Sequence, residues 1–327
     1  MRNSNPLCPK DCRPFWTAVF GYNTFMLSNQ TALIILNPVA GLVNVKVITS
    51  LIEGRFHSEG WSTRIHLTKP NEDYTALIKK EASRGLDLVV AAGGDGTIAA
   101  VAGALAHSQI PLGLIPIGTW NAIGRHFRIS LNPLRAIDTI TGKHKIRRMD
   151  LMKIGDRVHA MNLGVGFSSA MVAQTQRGEK RLFGNLAYFA HLIKQVFGLE
   201  MKKYVIEADG KLYRGKAAEI FVANYGMIGL NLIESALNIH PDDGKVDVLI
   251  FKTRTFIDIP SVFWNVLVRR KKRVPKYQQL SAAKKVAIKT IPPMLVQADG
   301  EVLGDTPISV TVLPRSVKVI VPTNYPA

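Results

Sequence analysis

The sequence of 327 residues contains few cysteines, and the two that it has, Cys8 and Cys12, lie close to its N-terminus. Neither has a cysteine partner in the rest of the chain, and neither belongs to a cysteine and histidine set with zinc-ligand spacing. This scarcity excludes a disulfide-stabilised scaffold and a cysteine-based zinc fold. It also favours a reducing compartment, so we expect a cytoplasmic protein.

Acidic residues are scarce as well, because 24 Asp and Glu residues stand against 42 Lys and Arg residues, which gives a net charge of +18. A protein this basic is expected to meet an anionic partner. Nucleic acid, an anionic membrane surface and phosphorylated small molecules all satisfy that expectation. The charge alone does not choose among them.

The sequence also lacks a hydrophobic run of membrane-spanning length. The best candidate, "PFWTAVFGYNTFML" at 14–27, has 14 residues, whereas a spanning helix needs about 20. No small-residue cleavage site of a signal peptide follows it. We therefore expect residues 1–29 to form a poorly ordered N-terminal extension, with an interfacial anchor as the alternative because the segment is rich in aromatic residues.

From Thr31 onwards, short apolar runs alternate with amphipathic segments of helical period. The second of these helices is expected to begin at an Asn71 cap and to end at Gly85. Such alternation predicts an α/β domain over residues 30–148, built on a parallel sheet that helices cover on both faces. Many short strands with glycine-rich turns follow, which predicts an antiparallel sandwich or barrel-like second domain over residues 149–313. The last segment, 314–327, is expected to form a strand that can join the first domain again.

A glycine-rich corner follows the third predicted strand, within "LVVAAGGDGTIAAVAGALA" at 88–106. Glycines and helix N-terminal amides suit a phosphate, and Asp95 would then bind Mg²⁺ or orient a donor. In the purely structural alternative, the glycines make a tight turn and Asp95 is the helix N-cap. A second corner, Gly118 to Asn121, ends the next strand, so two neighbouring loops could face one pocket. The pattern is neither a Walker A sequence nor a dinucleotide fingerprint.

Several motifs together resemble the diacylglycerol kinase catalytic-domain family, which includes bacterial lipid kinases and the sphingoid-base kinases. The resemblance runs in family order over about residues 31–322. It rests on the following segments: "ILNPVAG" at 35–41, "GGDGT" at 93–97, "PIGTWNAIGR" at 116–125, "MDLMKIGDRVHAMNLGVGF" at 149–167, "LFGNLAYF" at 182–189, "DDGKVDVLIF" at 242–251 and "ADGEVL" at 298–303.

The resemblance implies a two-domain kinase with its active site between two domains. The first is an ATP-binding α/β domain of the Rossmann-like or phosphofructokinase-like kind, and the second is a β-sandwich domain. It implies Glu301 as the general base and Asp299 as its acidic neighbour. It also implies Mg²⁺ on the Asp243 side chain and on main-chain oxygens of His240 and Lys245. The residues that it implies for ATP binding, with Asp95 also catalytic, are Thr68, Gly94, Asp95, Gly96, Thr97 and Thr119.

Taken without the resemblance, "DGE" at 299–301 reads as a hairpin turn with exposed acids. A lipid hydroxyl that attacks a phosphoryl group must lose a proton, however, and a positioned carboxylate such as that of Glu301 is a suitable acceptor. The carboxylates in "HPDDGKVD" at 240–247 are likewise close enough for an oxygen-ligand metal site, although such a segment alone is more often a solvated turn.

We therefore expect an ATP- and Mg²⁺-dependent kinase that acts on a diacylglycerol-like or long-chain lipid at an anionic membrane surface. The basic run "RRKKRVPK" at 269–276 follows a helical-period apolar stripe and would suit peripheral docking on a membrane, or simply a solvated face. The oligomeric state is left open, with a homodimer among the options. Nucleic-acid binding is not expected, since it would rest on charge alone.

Two alternatives to a lipid kinase stay open. The first is a kinase of a soluble substrate such as NAD, since such enzymes share the glycine corner. The second is a non-catalytic lipid-binding relative, because Ala99, Ala100 and Ala122 stand where members of the resembled family often carry polar or acidic residues. The β-rich second half favours the lipid branch over the first alternative.

Overall fold

A computed structural model of the chain describes residues 30–41, 44–178, 201–225, 238–252 and 277–326. The predictions for the N-terminal extension at 1–29 and for the basic run at 269–276 lie outside the described residues, as does the motif at 182–189. Among the residues that are described, no helix is both long and apolar enough to cross a bilayer.

The first part of the chain forms four parallel strands in the order β2-β1-β3-β4. β1 and β3 are apolar and buried on both faces, as expected for central strands of a sheet that helices cover. The strands are β1 (Thr31–Leu36), β2 (Ser62–Leu67), β3 (Leu88–Gly93) and β4 (Leu112–Pro116), and the helices are α1 (Val45–Ser58), α2 (Tyr74–Ala82), α3 (Asp95–Ala104), α4 (Ala122–His126) and α5 (Pro133–Thr141).

Side-chain caps set where three of these helices begin. Asn44 caps α1, and Asn132 caps α5 in front of Pro133. The sequence-based cap of α2 was wrong by two residues, because the Asp73 carboxylate rather than the Asn71 amide accepts the free N–H groups of Thr75 and Ala76. Asn71 has a left-handed backbone, with φ of 58°, and therefore belongs to the turn before the helix.

The second part of the chain is dominated by antiparallel strands, and its strands face each other across one apolar core. That core joins inward side chains of β5, β8, β13 and β16 to those of β7, β10, β11 and β14. The elements are β5 (His144–Ile154), β6 (Arg157–His159), β7 (Asn162–Gly166), α6 (Phe167–Gly178), β8 (Lys202–Ala208), β9 (Lys211–Ala217), β10 (Glu219–Ala223), β11 (Val246–Phe251), β12 (Tyr277–Ala282), β13 (Lys285–Ile291), β14 (Leu295–Ala298), β15 (Glu301–Asp305) and β16 (Ile308–Pro322).

These strands form two sheets. One has six strands in the order β12-β11-β10-β7-β14-β15, and the other continues the parallel strands of the first part as β4-β16-β13-β8-β9, with β5 and β6 attached through β16. The expected fold class, a parallel α/β part followed by a β-sandwich part, is confirmed. The predicted division between residues 148 and 149 falls inside β5 and stays a proposal.

The long strand β16 connects the two parts. Its first half pairs with β13, its second half meets β4 in parallel at Val319 and Leu112, and β5 runs antiparallel beside most of its length. The register shifts between Leu313 and Val317, where Arg315 has a left-handed φ of 51°. This irregularity lets a single strand serve both the parallel and the antiparallel part of one sheet.

Candidate functional site

Three loops meet at the carboxyl ends of β1, β3 and β4, which is the edge where ligands bind in open α/β sheets. A Cβ placed on Gly118 would lie 2.4 Å from the Cα of Gly94, and one placed on Gly41 would lie 2.2 Å from the carbonyl oxygen of Ile117. Such distances leave no room for a side chain. The two glycine corners that the sequence places after neighbouring strands are thus in direct backbone contact.

Asparagine side chains hold these loops in place. The Asn37 amide donates to the Thr97 hydroxyl at 2.9 Å, which joins the β1 loop to α3. Asn121 has a left-handed backbone with φ of 52°, and its amide both accepts from the Gly118 N–H and donates to the Gly118 carbonyl at 2.8 Å. The sequence alone did not indicate either role, although Asn is one of the few non-glycine residues that adopt the left-handed conformation.

Asp95 is the first residue of α3, and its carboxylate accepts a hydrogen bond from the Ile123 N–H at 2.9 Å. The N-cap is Gly94, so the structural alternative in which Asp95 caps the helix is wrong. Asp95 instead joins the start of α3 to α4, which follows the second glycine corner. The carboxylate thereby fixes the position of one loop relative to the other, and these are the two loops that a phosphate would contact.

The N-terminus of α3 carries no side-chain cap, so its free N–H groups are available to an anion. A Cβ on Gly96 would meet no atom within 4 Å, so this first turn faces open space. Of the three predicted threonines, Thr119 is exposed at the second corner, whereas Thr97 is buried under Asn37. Thr68 lies further away and hydrogen-bonds the Tyr74 hydroxyl, whose pKa burial raises.

A cleft of about 380 Å³ opens beside the first turn of α3. Its opposite wall comes from the start of β7 and from the turn between β14 and β15, so the cleft lies between the two parts of the chain. Glu301 is not among the described lining residues, although its neighbour Gly300 is. The lining residues are Asp95, Gly96, Trp120, Ala122, Met161, Asn162, Gln297, Asp299 and Gly300.

Asp299 fastens that opposite wall. Its carboxylate accepts hydrogen bonds from the main-chain N–H groups of Ala160, Met161 and Asn162 at 2.9 to 3.1 Å. The side chain is only 11% exposed. The expected hairpin turn is therefore present between β14 and β15, but the expectation that both of its acids are exposed is wrong for Asp299.

Replacing Asp299 with alanine is expected to lower the free energy of unfolding by about 2–4 kcal/mol, because three N–H groups would lose a charged acceptor in a largely buried position. Chemical denaturation of the purified chain measures the change. Asp305→Ala is the matched control, since this exposed acid of the same hairpin should change stability by less than about 0.5 kcal/mol. Equal stability of the two variants would contradict the fastening role of Asp299.

Glu301 lies on the rim and forms an ion pair with Arg157 at 2.9 Å. The two side chains are 63% and 71% exposed, so the pair contributes no more than about 1 kcal/mol. The carboxylate is therefore free to exchange this partner for another when a substrate enters the cleft.

Comparison with known proteins agrees with this geometry. The model of the diacylglycerol kinase catalytic domain matches residues 31–154, and the model of the YegS C-terminal NAD kinase beta sandwich-like domain matches residues 162–321. The chain therefore carries a diacylglycerol kinase catalytic domain followed by this sandwich domain. The first matched segment ends with β5, and the second begins with β7, whose first residue, Asn162, lines the cleft.

Individual relatives carry names of the same kind. A Staphylococcus aureus (strain Mu3) protein named "Putative lipid kinase" is 27% identical over 250 residues, which cover 74% of this chain and 79% of that protein. An uncharacterized Synechocystis protein is 29% identical over 309 residues, or 90% of this chain and 71% of that one. The crystal structure of "a putative diacylglycerol kinase from Bacillus anthracis str. Sterne" superposes with a TM-score of 0.71 at 25% identity, covering 90% of this chain and 98% of that one.

The family implies a magnesium ion in the loop before β11. The Asp243 residue as a whole is exposed there, and its Oδ1 accepts from the Lys245 N–H at 3.0 Å. Partial burial of its carboxyl, together with the nearby Asp247, raises the pKa of that carboxyl. Carboxylate and carbonyl oxygens are the donors that Mg²⁺ prefers, so the loop fits that ion. Asp150 holds the loop by accepting the Gly244 N–H at 2.6 Å, and burial raises the pKa of Asp150 to about 6.

The three alanines that depart from the family pattern occupy different environments. Ala99 is packed in the core and Ala100 is exposed on α3, whereas Ala122 lines the cleft. Only Ala122 therefore removes a polar side chain from the described lining of the cleft. The loops around the cleft are held in place by the hydrogen bonds of Asp95, Asn37 and Asn121.

Proposed function

We propose that the protein is an ATP-dependent lipid kinase that transfers the γ-phosphoryl group of ATP to the hydroxyl of a diacylglycerol-like or long-chain lipid. The observation that carries this proposal is the cleft between the uncapped start of α3 and the Asp299–Gly300 turn. It supplies phosphate-binding amides on one wall and acidic groups on and beside the other. Membership of a kinase family supports the use of ATP.

The residues divide the work by position. The N–H groups around Gly94, Gly96 and the second glycine corner would bind phosphate oxygens, and Asp95 would keep the two corners in register. Glu301 would accept the proton that the lipid hydroxyl loses as its oxygen bonds to phosphorus. When bound, Mg²⁺ at Asp243 would supply positive charge in the second part of the chain, with main-chain oxygens of His240 and Lys245 as further ligands.

Partners and location follow from the same proposal. A lipid acceptor requires contact with a membrane, and the net charge of +18 suits peripheral association with an anionic surface from the cytoplasmic side. The basic run at 269–276 is the segment that we propose for this contact.

A labelled-ATP transfer assay in mixed micelles tests the proposal. Diacylglycerol and long-chain alcohols serve as lipid acceptors, with NAD as the soluble acceptor. We expect transfer to a lipid and none to NAD, and we expect Asp95→Ala to lose the activity. Transfer to NAD alone would favour the soluble-substrate alternative, and no transfer at all would favour a non-catalytic relative.

A matched pair of glycine variants tests where the nucleotide lies. Gly96→Ala and Gly54→Ala both add a methyl group to a helix at a position with no atom within 4 Å. Both should fold normally, yet Gly96→Ala alone should weaken ATP binding at least about 10-fold, because the backbone must approach a phosphate there. Equal ATP affinity of the two variants would remove α3 from the proposed nucleotide site.

A further inference from the structure

Two histidines and one carboxylate from distant parts of the sequence meet at the end of α4, the helix whose first residue lines the cleft. His126 ends α4, whereas His240 and Asp242 lie on the loop before β11. A ring nitrogen of each histidine and a carboxylate oxygen of Asp242 lie within 4.8 Å of one another. We propose that these three side chains bind a divalent transition-metal ion, with Zn²⁺ as the preferred ion.

The donor set distinguishes this site from the magnesium site that the family implies. Two imidazoles with one carboxylate suit Zn²⁺, whereas Mg²⁺ takes oxygen ligands and keeps several waters. Ligand atoms of a tetrahedral zinc ion lie about 3.4 Å apart, so small side-chain rotations would close the site. His240 is exposed and Asp242 half-buried, so both can make that adjustment, and three protein ligands leave a fourth position for water.

His126 is held firmly, as a metal ligand needs to be. Its ring packs edge-on against Phe127 and Tyr225, with ring centroids 5.3 and 5.5 Å apart, and the His240 ring centroid is 6.2 Å away. The Tyr325 hydroxyl lies 3.4 Å from Nε2 of His126. A hydrogen-bond partner and packed aromatic rings fix the orientation of an imidazole, as the outer partners of metal-bound histidines do.

Several carboxylates lie near this place. Burial is the main cause that raises the pKa of the Tyr225 phenol well above its usual value, and Tyr325 and the carboxylates of Asp95, Asp150 and Asp242 raise it further. The loop itself is fixed, because the Asp150 N–H donates to the Pro241 carbonyl and the Asp150 carboxylate accepts from Gly244, each at 2.6 Å. The ligands on this loop are therefore presented on a backbone that is already in place.

A bound ion would tie together two segments that are 114 residues apart in sequence, from His126 to His240. One is the helix that follows the second glycine corner, and the other is the loop of the proposed magnesium site. The ion would thus connect the segment that matches the catalytic-domain model to the segment that matches the sandwich-domain model. We expect metal binding to raise the thermal midpoint of unfolding, because a ligand of the folded state stabilises it.

The test uses the untagged full-length chain with Cys8→Ser and Cys12→Ser, so that thiols do not bind the metal. After treatment with a chelator, Zn²⁺ is titrated against a competing indicator without ATP or lipid, and Co²⁺ reports nitrogen ligands through its visible spectrum. We expect one ion per chain and a raised thermal midpoint. His126→Ala and His240→Gln should each weaken Zn²⁺ binding at least about 10-fold, as loss of ligand contacts does.

Asp243→Asn and His144→Ala are the matched controls, since the first alters the proposed magnesium ligand and the second an exposed histidine elsewhere. Both should keep the Zn²⁺ affinity of the parent, and excess Mg²⁺ should not displace the ion. Unchanged affinity in His240→Gln, whose exposed position keeps the fold intact, would overturn the site, as would displacement by Mg²⁺ or the absence of Zn²⁺ binding. Because no substrate is present, these outcomes are independent of the kinase proposal.

Discussion

Gly118→Ala is expected to destabilise the chain by about 3 kcal/mol, because the added methyl group has to displace backbone rather than a flexible side chain. Its Cβ would lie 2.4 Å from the Cα of Gly94 and 3.0 Å from Oδ1 of Asn121. Relief of these contacts requires the two glycine corners to separate. A shift of about 1 Å at a phosphate site can cost roughly 100-fold in rate, so kinase activity should fall at least that far.

The measurement combines chemical denaturation with the lipid transfer assay. Gly96→Ala is the control for stability, since it adds the same methyl group in the same site where no atom lies within 4 Å. Gly118→Ala should lose both stability and turnover, whereas Gly96→Ala should lose nucleotide affinity alone. A Gly118→Ala variant as stable and active as the parent would show that the corners do not need their backbone contact.

Glu301→Gln is expected to lower the rate of transfer to a lipid hydroxyl by about 100- to 10,000-fold, the range that a general base contributes. Glutamine keeps the size of the side chain but cannot accept the proton. Stability should stay within about 0.5 kcal/mol, because the ion pair with Arg157 is exposed at both ends. The comparison of kcat with the thermal midpoint therefore separates catalysis from folding.

Arg157→Gln is the control for the ion pair. It also breaks the contact with Glu301 but leaves the carboxylate in place, so it should retain most of the activity. Losses of equal size in the two variants would mean that the pair itself is needed. Full activity of Glu301→Gln would assign the proton acceptor to another group, and Asp95 would then be tested next.

Local signals in the sequence were enough to predict the elements around the cleft. Apolar runs followed by glycine corners correctly predicted β3, β4 and the start of α3, because strands that are buried on both faces consist almost entirely of apolar residues. The hairpin around Asp299 was likewise visible as a short polar turn between two apolar runs. The order of the motifs, rather than any single motif, indicated the resemblance to the family.

Long-range contacts were not predictable from the same signals. The burial of Asp299 depends on three N–H groups from residues 160–162, more than a hundred positions earlier in the chain. The cap at Asp73 was missed because Asn71 and Asp73 are both good caps, and only the backbone of the preceding turn decides between them. The meeting of His126 with His240 depends on how α4 and the loop before β11 pack, which no local pattern records.

The course of β16 also determines when the protein can finish folding as it is made. Residues 31–154 leave the ribosome with one edge of β4 uncovered and with β5 lacking its long partner, and both gaps are filled by residues 308–322. An uncovered strand edge is a site for wrong pairing, so the earliest part of the chain depends on the latest. The segment at 31–154 is therefore not a module that can be transplanted without its distant strand.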